Sequence, residues 1–355
     1  AGAQGISFDT GLRAIRDRAA RFLAEGIDRA PRTGTVRELD VLADYAGYLR
    51  SLVDLAGIRP LRVVVDAGNG MGGLTVPAVL GEAAGLPALP LEVIPLYFEL
   101  DGDFPNHEAN PLDPANIVDL QKAVVEHNAD LGLAFDGDAD RCFVVDENGD
   151  AVTPSAIAAI VALRAIERAR VSDPDAEVVV LHNLITSRIV AETIEAAGAT
   201  AVRTKVGHSL IKDEMAATGA VFGGEHSAHY YFREFWGADN GMLAAMYVLY
   251  ELGHQPASMS AISREYTPYA ISGEINSTVT DIPAAYTRIV EAYVGRADFD
   301  ELDGLTVDGT SVDDPFWWFN VRPSNTEPLL RLNVEAGSEQ MMVRIRDHVL
   351  GLIRG

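Results

Sequence analysis

Apolar positions along this chain fall into short solid runs that alternate with stretches of helical period. Leu61-Arg62-Val63-Val64-Val65-Asp66 reads as a buried strand entering the glycine-rich turn Ala67 to Gly73 and then a helix. Leu91 to Leu96 reads as a second strand. Asp113 and Pro114 suit the N-cap and first position of a helix ending near Asn128. Leu131 to Phe135 is a further strand, and Asn148-Gly149 predicts a hairpin between Phe143 and Val152. A similar order returns downstream: Val178 to Leu181 and Ala201 to Lys205 as strands, a helix from Ser187 to Ala197 stopped by Gly198, Ala220-Val221-Phe222 entering a polar loop, and a helix from Gly241 to Leu252. Two alternating units in tandem predict an α/β protein with two mainly parallel sheets of duplicated architecture.

The ends are different. Phe8 to Phe22 has helical period, and Thr35 with Glu38 has capping-box spacing, predicting a second helix with Leu39, Leu42, Tyr45, Leu49 and Leu52 on one face. Helices without a strand read as the tail of a domain that begins upstream. After residue 266, strand-like pieces (271–279, 305–307, 316–321, 329–334) alternate with helices at 284–294 and 338–353, a smaller α+β module. The expected division is 1–47, 48–150, 151–266 and 267–355.

Composition narrows the function. The 355 residues are too many for one ordinary core, and no apolar run approaches the length that spans a bilayer. Cys142 is the only cysteine, which excludes an internal disulfide, reads as a small core residue and points to a reducing, cytoplasmic setting. The chain opens Ala1-Gly2-Ala3-Gln4-Gly5, without a signal peptide or a Met. A net charge of −24 argues against nucleic acid but not against a small phosphorylated ligand held by a few local cations.

Asp136-Gly137-Asp138-Ala139-Asp140-Arg141 follows the apolar run 131–135. Alternation in an extended segment would point the three carboxylates to one side, where their repulsion calls for a cation; hard oxygens with room for water suit Mg²⁺. Arg141 adds a fixed positive charge for a phosphate. The spacing also imitates an EF-hand loop ending at Glu147, but Arg141 stands where the sharp turn wants Gly and both flanks read as strands. A haloacid-dehalogenase-type site, with Asp136 as nucleophile, lacks its downstream partners; an acidic surface turn rarely abuts five apolar residues.

Two further loops carry chemistry. Arg322-Pro323-Ser324-Asn325-Thr326-Glu327-Pro328 offers a guanidinium, two hydroxyls, an amide and backbone N–H groups to a phosphate dianion. An ordinary polar turn fits that loop equally well, and the metal site elsewhere favours the phosphate. In Gly224-Glu225-His226-Ser227-Ala228-His229, Glu225 and Ser227 share one side of an extended loop and suit vicinal sugar hydroxyls. His208 and His229, taken singly, read more readily as packed or surface residues than as functional ones.

In this order the three loops resemble the α-D-phosphohexomutase superfamily, in particular its phosphomannomutase/phosphoglucomutase branch, over essentially the whole chain. The resemblance implies a heart-shaped, four-domain protein: three related α/β/α domains and a C-terminal α+β domain like the TATA-binding protein. It implies interconversion of hexose 6-phosphate and hexose 1-phosphate through a hexose bisphosphate intermediate, with a phosphoserine as donor. By the same resemblance Asp136, Asp138 and Asp140 hold Mg²⁺, and Glu225 and Ser227 hold sugar hydroxyls O3 and O4. Arg322, Ser324, Asn325 and Thr326 take the distal phosphate, while Arg141, His208 and His229 line the reaction centre. The partners implied are hexose phosphates, with neither nucleic acid nor membrane, in a monomer or weak dimer. No Thr-Ala-Ser-His-Asn-Pro loop occurs in the sequence, so residues 1–47 are expected to be a remnant of the phosphoserine domain, and the chain alone to bind without turnover. Ala228 stands where the family commonly has glycine, and Leu184 where a lysine is frequent, with Lys205 as a substitute. A non-catalytic hexose-phosphate-binding module and phosphoglucosamine mutase are the alternatives.

Overall fold

The computed structural model of the chain describes residues 6, 11–27, 31–310, 316–324 and 329–355. Helix α1 (Arg13–Glu25) buries none of its residues. Helix α2 (Leu42–Leu52) starts later than the capping-box spacing predicts: residues 33–41 are not helical, Leu39 is exposed, and Asp40 Oδ1 accepts from Leu42 N at 3.0 Å. Asp40, one residue before the N-cap Val41, therefore makes the turn into the helix, and Thr35 does not cap it. Ala46, Leu49 and Leu52 carry α2 into the core of the first sheet.

That first sheet is built from β1 (Leu61–Asp66), β2 (Leu91–Leu96), β3 (Leu131–Phe135), β4 (Cys142–Asp146) and β5 (Ala151–Val152), in the order β2-β1-β3-β4-β5. Helix α3 (Gly72–Val79) follows β1, and α4 (Val118–His127) precedes β3. Asp113 caps the one-turn 3₁₀ lead-in to α4 by accepting from Ala115 N, and Asn128 ends α4 in the left-handed conformation. Pairing is parallel for β2/β1 and β1/β3 but antiparallel for β3/β4 and β4/β5.

The 19-residue α5 (Pro154–Ser172), capped by Thr153, leads to the second unit. This contains β6 (Val179–Asn183), α6 (Arg188–Ala196), β7 (Thr200–Thr204), α7 (His208–Thr218), β8 (Phe222–Gly224), β9 (Tyr230–Phe232), β10 (Ala238–Asp239), α8 (Gly241–Gly253) and α9 (Met259–Glu265). Its sheet runs β7-β6-β8-β9-β10, again with two parallel junctions followed by two antiparallel ones. The two sheets share strand order and strand direction, which makes the duplication visible. Neither is mainly parallel, because each closes on a β-hairpin and a short edge strand. Helices α5 and α8 are apolar almost all round, and one continuous core runs from Ala46 to Ile262 through both units.

The C-terminal unit has its own core. Strands β11 (Ala270–Ile271), β12 (Ile275–Thr278), β13 (Asp298–Asp300), β14 (Leu305–Asp308), β15 (Trp317–Pro323) and β16 (Leu329–Ala336) pair antiparallel throughout, and α10 (Ile282–Tyr293) and α11 (Glu339–Arg354) pack together on the sheet. Among the described residues no helix is long and apolar enough to cross a membrane.

Candidate functional site

The acidic segment leaves β3 at the carboxyl edge of the parallel strands, where loops of α/β sheets collect ligands. It is a tight turn and not an extended run. Ala139 N donates to Asp136 O at 3.1 Å, and Ala139 is left-handed at φ 62°. The turn achieves what alternation was expected to do: one carboxylate oxygen from each of Asp136, Asp138 and Asp140 lies within 4.8 Å of the others. Gly137 is held from behind. A Cβ on Gly70 would stand 2.6 Å from Gly137 O, so only glycine lets the 67–73 turn lie against it, and Met71 N donates to that same oxygen at 2.9 Å.

Charge inside the turn is unevenly compensated. Asp136 is buried, and Arg141 serves both its oxygens, Nε to Oδ2 at 2.7 Å and backbone N to Oδ1 at 3.1 Å. Arg141 also reaches Asn110 Oδ1 at 3.3 Å. Among the described residues no arginine or lysine pairs with Asp140, and burial with repulsion from Asp136, Asp138 and Asp239 pushes its carboxyl up to about 7. Three converging hard oxygen ligands with this much unbalanced negative charge fit a divalent cation.

The sugar-loop residues form a second turn of the same design at the equivalent place, between β8 and β9. Ala228 N donates to Glu225 O at 3.1 Å, and Ala228 is left-handed at φ 65°. Here too the extended loop expected from the sequence is replaced by a turn. Glu225 is buried, taking the Tyr231 hydroxyl at 2.7 Å on Oε2, and Asn183 Nδ2 and Gly207 N at 3.3 Å each on Oε1. Ser227 Oγ lies 2.9 Å from His229 Nδ1. The imidazole sits between Glu225 Oε2 at 3.5 Å and Asp140 Oδ1 at 3.7 Å, and its burial, helped by the Arg141 charge, holds its pKa below the usual histidine value despite Glu225, Asp239 and Asp136. Arg141 and His229 form an isolated antiparallel bridge between the two turns.

A strip of polar groups continues from here to the third loop. His226, beside Glu225, feels the charge of Glu274, which partly offsets the lowering caused by its burial. Glu274 in turn lies between two arginines placed directly opposite each other on β15 and β16: Arg322 Nη2 at 3.2 Å and Arg331 Nη1 at 3.1 Å. Among the described residues neither arginine's buried Nε has a hydrogen-bond partner, and Arg331 reaches toward Ser324 Oγ at 3.5 Å. Asn325 and Thr326 lie outside the described residues, and so does the His208 side chain, although His208 opens α7. Leu184 is buried and Lys205 is exposed. Sequence reasoning missed Asn110, Tyr231, Asp239, Glu274 and Arg331. None belongs to a loop motif; only the register of β15 with β16 hints at Arg331.

Family models match nearly all of this architecture. The phosphoglucomutase/phosphomannomutase alpha/beta/alpha domain II matches residues 43–149, domain III residues 153–269, and the C-terminal domain residues 274–352. The chain belongs to the phosphoglucomutase/phosphomannomutase family. Relatives include the phosphohexose mutases of Xanthomonas campestris pv. campestris, 39% identical over 99% of this chain and 75% of their own length. The phosphomannomutase of Salmonella typhimurium is 36% identical over 98% of the chain and 74% of its length. The phosphomannomutase/phosphoglucomutase of Pseudomonas aeruginosa is 38% identical over 94% and 68%. Among solved structures, a family protein from Burkholderia thailandensis aligns with a TM-score of 0.81 at 27% identity, over 96% of this chain and 70% of that one. Membership of this family bears out the α-D-phosphohexomutase resemblance and the tandem α/β/α fold with a distinct C-terminal domain.

Proposed function

We propose that this chain binds hexose 1- and 6-phosphates, and the bisphosphate between them, as the sugar-holding part of a cytoplasmic phosphomannomutase/phosphoglucomutase acting as a monomer or weak dimer. The observation that carries this reading is the polar strip itself. It has a cation-binding turn at one end, a carboxylate–hydroxyl–imidazole turn in the middle, and paired arginines at the other. That order suits a ligand with a reacting phosphate, a ring bearing vicinal hydroxyls, and a second phosphate.

In this reading Asp136, Asp138 and Asp140 hold Mg²⁺, which when bound offsets charge on the phosphoryl group in transfer. Arg141, anchored on Asp136, faces the same phosphate with its position fixed in advance. His229 lies beside Asp140, within reach of a hydroxyl oriented there, and suits the role of acid or base. Ser227 and Glu225 hold sugar hydroxyls, and Arg322, Ser324, Asn325 and Thr326 take the phosphate that is not reacting. The hydroxyls of Ser209, Ser227 and Ser324 are given no nucleophilic role. Mannose and glucose differ at C2, which Glu225 and Ser227 do not address, so both are assigned as ligands. The Salmonella and Pseudomonas relatives carry names that cover these two sugars.

Calorimetric titration tests the reading. Glucose 1-phosphate and mannose 1-phosphate should bind in the presence of Mg²⁺, and Mg²⁺ alone should bind about tenfold or more weakly to Asp138→Asn, since a charged ligand becomes neutral. Equal Mg²⁺ affinity in parent and variant, or no binding of either sugar phosphate, would overturn it.

A further inference from the structure

Three neighbouring strands carry Asn183, Glu225 and Tyr231 to one face of the second sheet. Asn183 ends β6, Glu225 follows β8 and Tyr231 lies in β9, with β8 between the other two. The face is the one that α7 covers. Tyr231 packs with Leu181, Ile211 and Met215 in a small core of its own, and Lys212 Nζ stands 5.8 Å from its ring centroid.

The three side chains meet at the Glu225 carboxylate. Tyr231 and Asn183 are fully buried, and Glu225 is 2% exposed. The Tyr231 hydroxyl donates to Oε2 at 2.7 Å, and Asn183 Nδ2 and Gly207 N donate to Oε1 at 3.3 Å each. Burial, and after it the charge of Glu225, raises the Tyr231 pKa, which keeps the phenol a donor. A carboxylate offers about four acceptor sites, so these donors leave one open on Oε2, the oxygen that His229 Nδ1 approaches to 3.5 Å. Among the described residues no lysine or arginine pairs with Glu225; Lys212, the cation above the Tyr231 ring, is held by Asp239 at 2.7 Å. The Asn183 amide keeps its orientation although, among the described residues, its buried Oδ1 has no hydrogen-bond partner. Turning the amide over would set that oxygen against the Glu225 carboxylate, which is worse than leaving it unpaired.

We propose that Tyr231 and Asn183 are positioning residues of the sugar site: they hold Glu225 in one orientation with a single acceptor site open, so that it reads one hydroxyl of the ligand. This rests on the sugar-holding role given to Glu225 above. The neutrality of the donors matters. A lysine or arginine in their place would neutralise the carboxylate, whereas O–H and N–H donors leave it anionic, and a hydroxyl bonds more strongly to an ionised acceptor than to a neutral one. With either donor removed, a second acceptor site opens, Glu225 turns or takes up water there, and its preference for the ligand hydroxyl falls. The phosphates are held elsewhere and do not depend on either residue.

Titration calorimetry on the whole chain with Mg²⁺ present, comparing glucose 1-phosphate with its 3-deoxy and 4-deoxy analogues, tests this in the parent, Glu225→Ala, Tyr231→Phe and Asn183→Leu. The parent should favour glucose 1-phosphate about tenfold or more over the analogue lacking the hydroxyl that Glu225 holds. Glu225→Ala should abolish that preference, and Tyr231→Phe and Asn183→Leu should each reduce it about threefold or more. A purely structural role would lower the affinity for all three ligands by one factor and leave their ratio alone. No binding of glucose 1-phosphate by the parent would overturn the functional reading and this inference together. Equal parental affinity for all three ligands would remove the role of Glu225, and the inference with it, while leaving phosphate binding in place. A preference that Glu225→Ala abolishes but Tyr231→Phe or Asn183→Leu keeps in full would overturn the inference alone. Should Asn183→Leu fail to fold, Tyr231→Phe, which deletes a single oxygen, decides.

Discussion

Arg141 and His229 face each other across a single antiparallel bridge, the backbone link between the turn that follows β3 and the turn that follows β8. Each turn closes on an alanine in the left-handed conformation, Ala139 at φ 62° and Ala228 at φ 65°. The bridge therefore joins equivalent points of two duplicated units. It sets the acids of one unit beside the imidazole of the other, and the geometry of either turn depends on the seam between the sheets.

That dependence gives a stability prediction at Gly241. A methyl group there meets the carbonyls of Arg141 and Ala139, neither of which can rotate away. Gly241→Ala should cost about 1–3 kcal/mol, as overpacking does, and should also lower Mg²⁺ affinity, because the acids sit on the displaced turn. Gly57→Ala is the control, with nothing within 4 Å of its added Cβ. Urea denaturation and Mg²⁺ titration of both variants check this. Equal behaviour would show that the seam is looser than the packing indicates.

Much of this could be read from residues that act locally. Asp113, Ser187, Asn148-Gly149 and the solid run Leu131 to Phe135 announce their caps, turns and strand without help from distant parts of the chain. The loops bearing Asp136, Glu225 and Arg322 were visible for the same reason. What stayed hidden depends on tertiary contact. The first half of helix α5, Ser155 to Ala162, is buried on every face between the units, so that stretch shows no stripe for a period to reveal. The capping-box spacing of Thr35 and Glu38 had no tertiary support and formed no helix. Asp239 comes beside Asp140 only through the packing of the second unit against the first, and Arg331 joins Arg322 only through the register of β15 with β16.

The two arginines of the C-terminal unit give a binding prediction. Arg322 and Arg331 share Glu274, and in the proposed reading a phosphate dianion would compete with that carboxylate for them. Arg322→Ala should cost about 2 kcal/mol or more of hexose phosphate binding, with mannose and glucose phosphates affected alike. Glu274→Gln should instead tighten binding, since the competing charge is removed while the side chain keeps its shape. Weaker binding by Glu274→Gln would mean that Glu274 positions the arginines instead of occupying their site.

Glu335 gives the pH prediction. It is 1% exposed and joins the C-terminal unit to the second α/β unit. It accepts from the Ser187 hydroxyl, from Arg188 N at 2.9 Å and from Trp318 Nε1 at 2.6 Å. Burial raises its pKa above the ordinary glutamate value of 4.5, more than these donors lower it. The folded chain therefore binds this proton more tightly than the unfolded chain does. The resulting stabilisation is complete below pH 4.5 and is lost as pH rises through the folded-state value. Glu335→Gln removes that dependence and can keep the geometry. Trp318 and Arg188 both donate to Oε2, where the amide oxygen can stand, and the amide nitrogen can donate to Ser187 Oγ. At pH 8 the glutamine variant should match or exceed the parent in stability, and near pH 4 the two should converge. Glu335→Ala should be less stable at both, by about 1–3 kcal/mol for each buried N–H left unpaired. Urea midpoints followed by tryptophan fluorescence, to which Trp317 and Trp318 contribute from this unit, measure all three. A gap between parent and Glu335→Gln that does not change with pH would show that the carboxyl is not the titrating group at this joint.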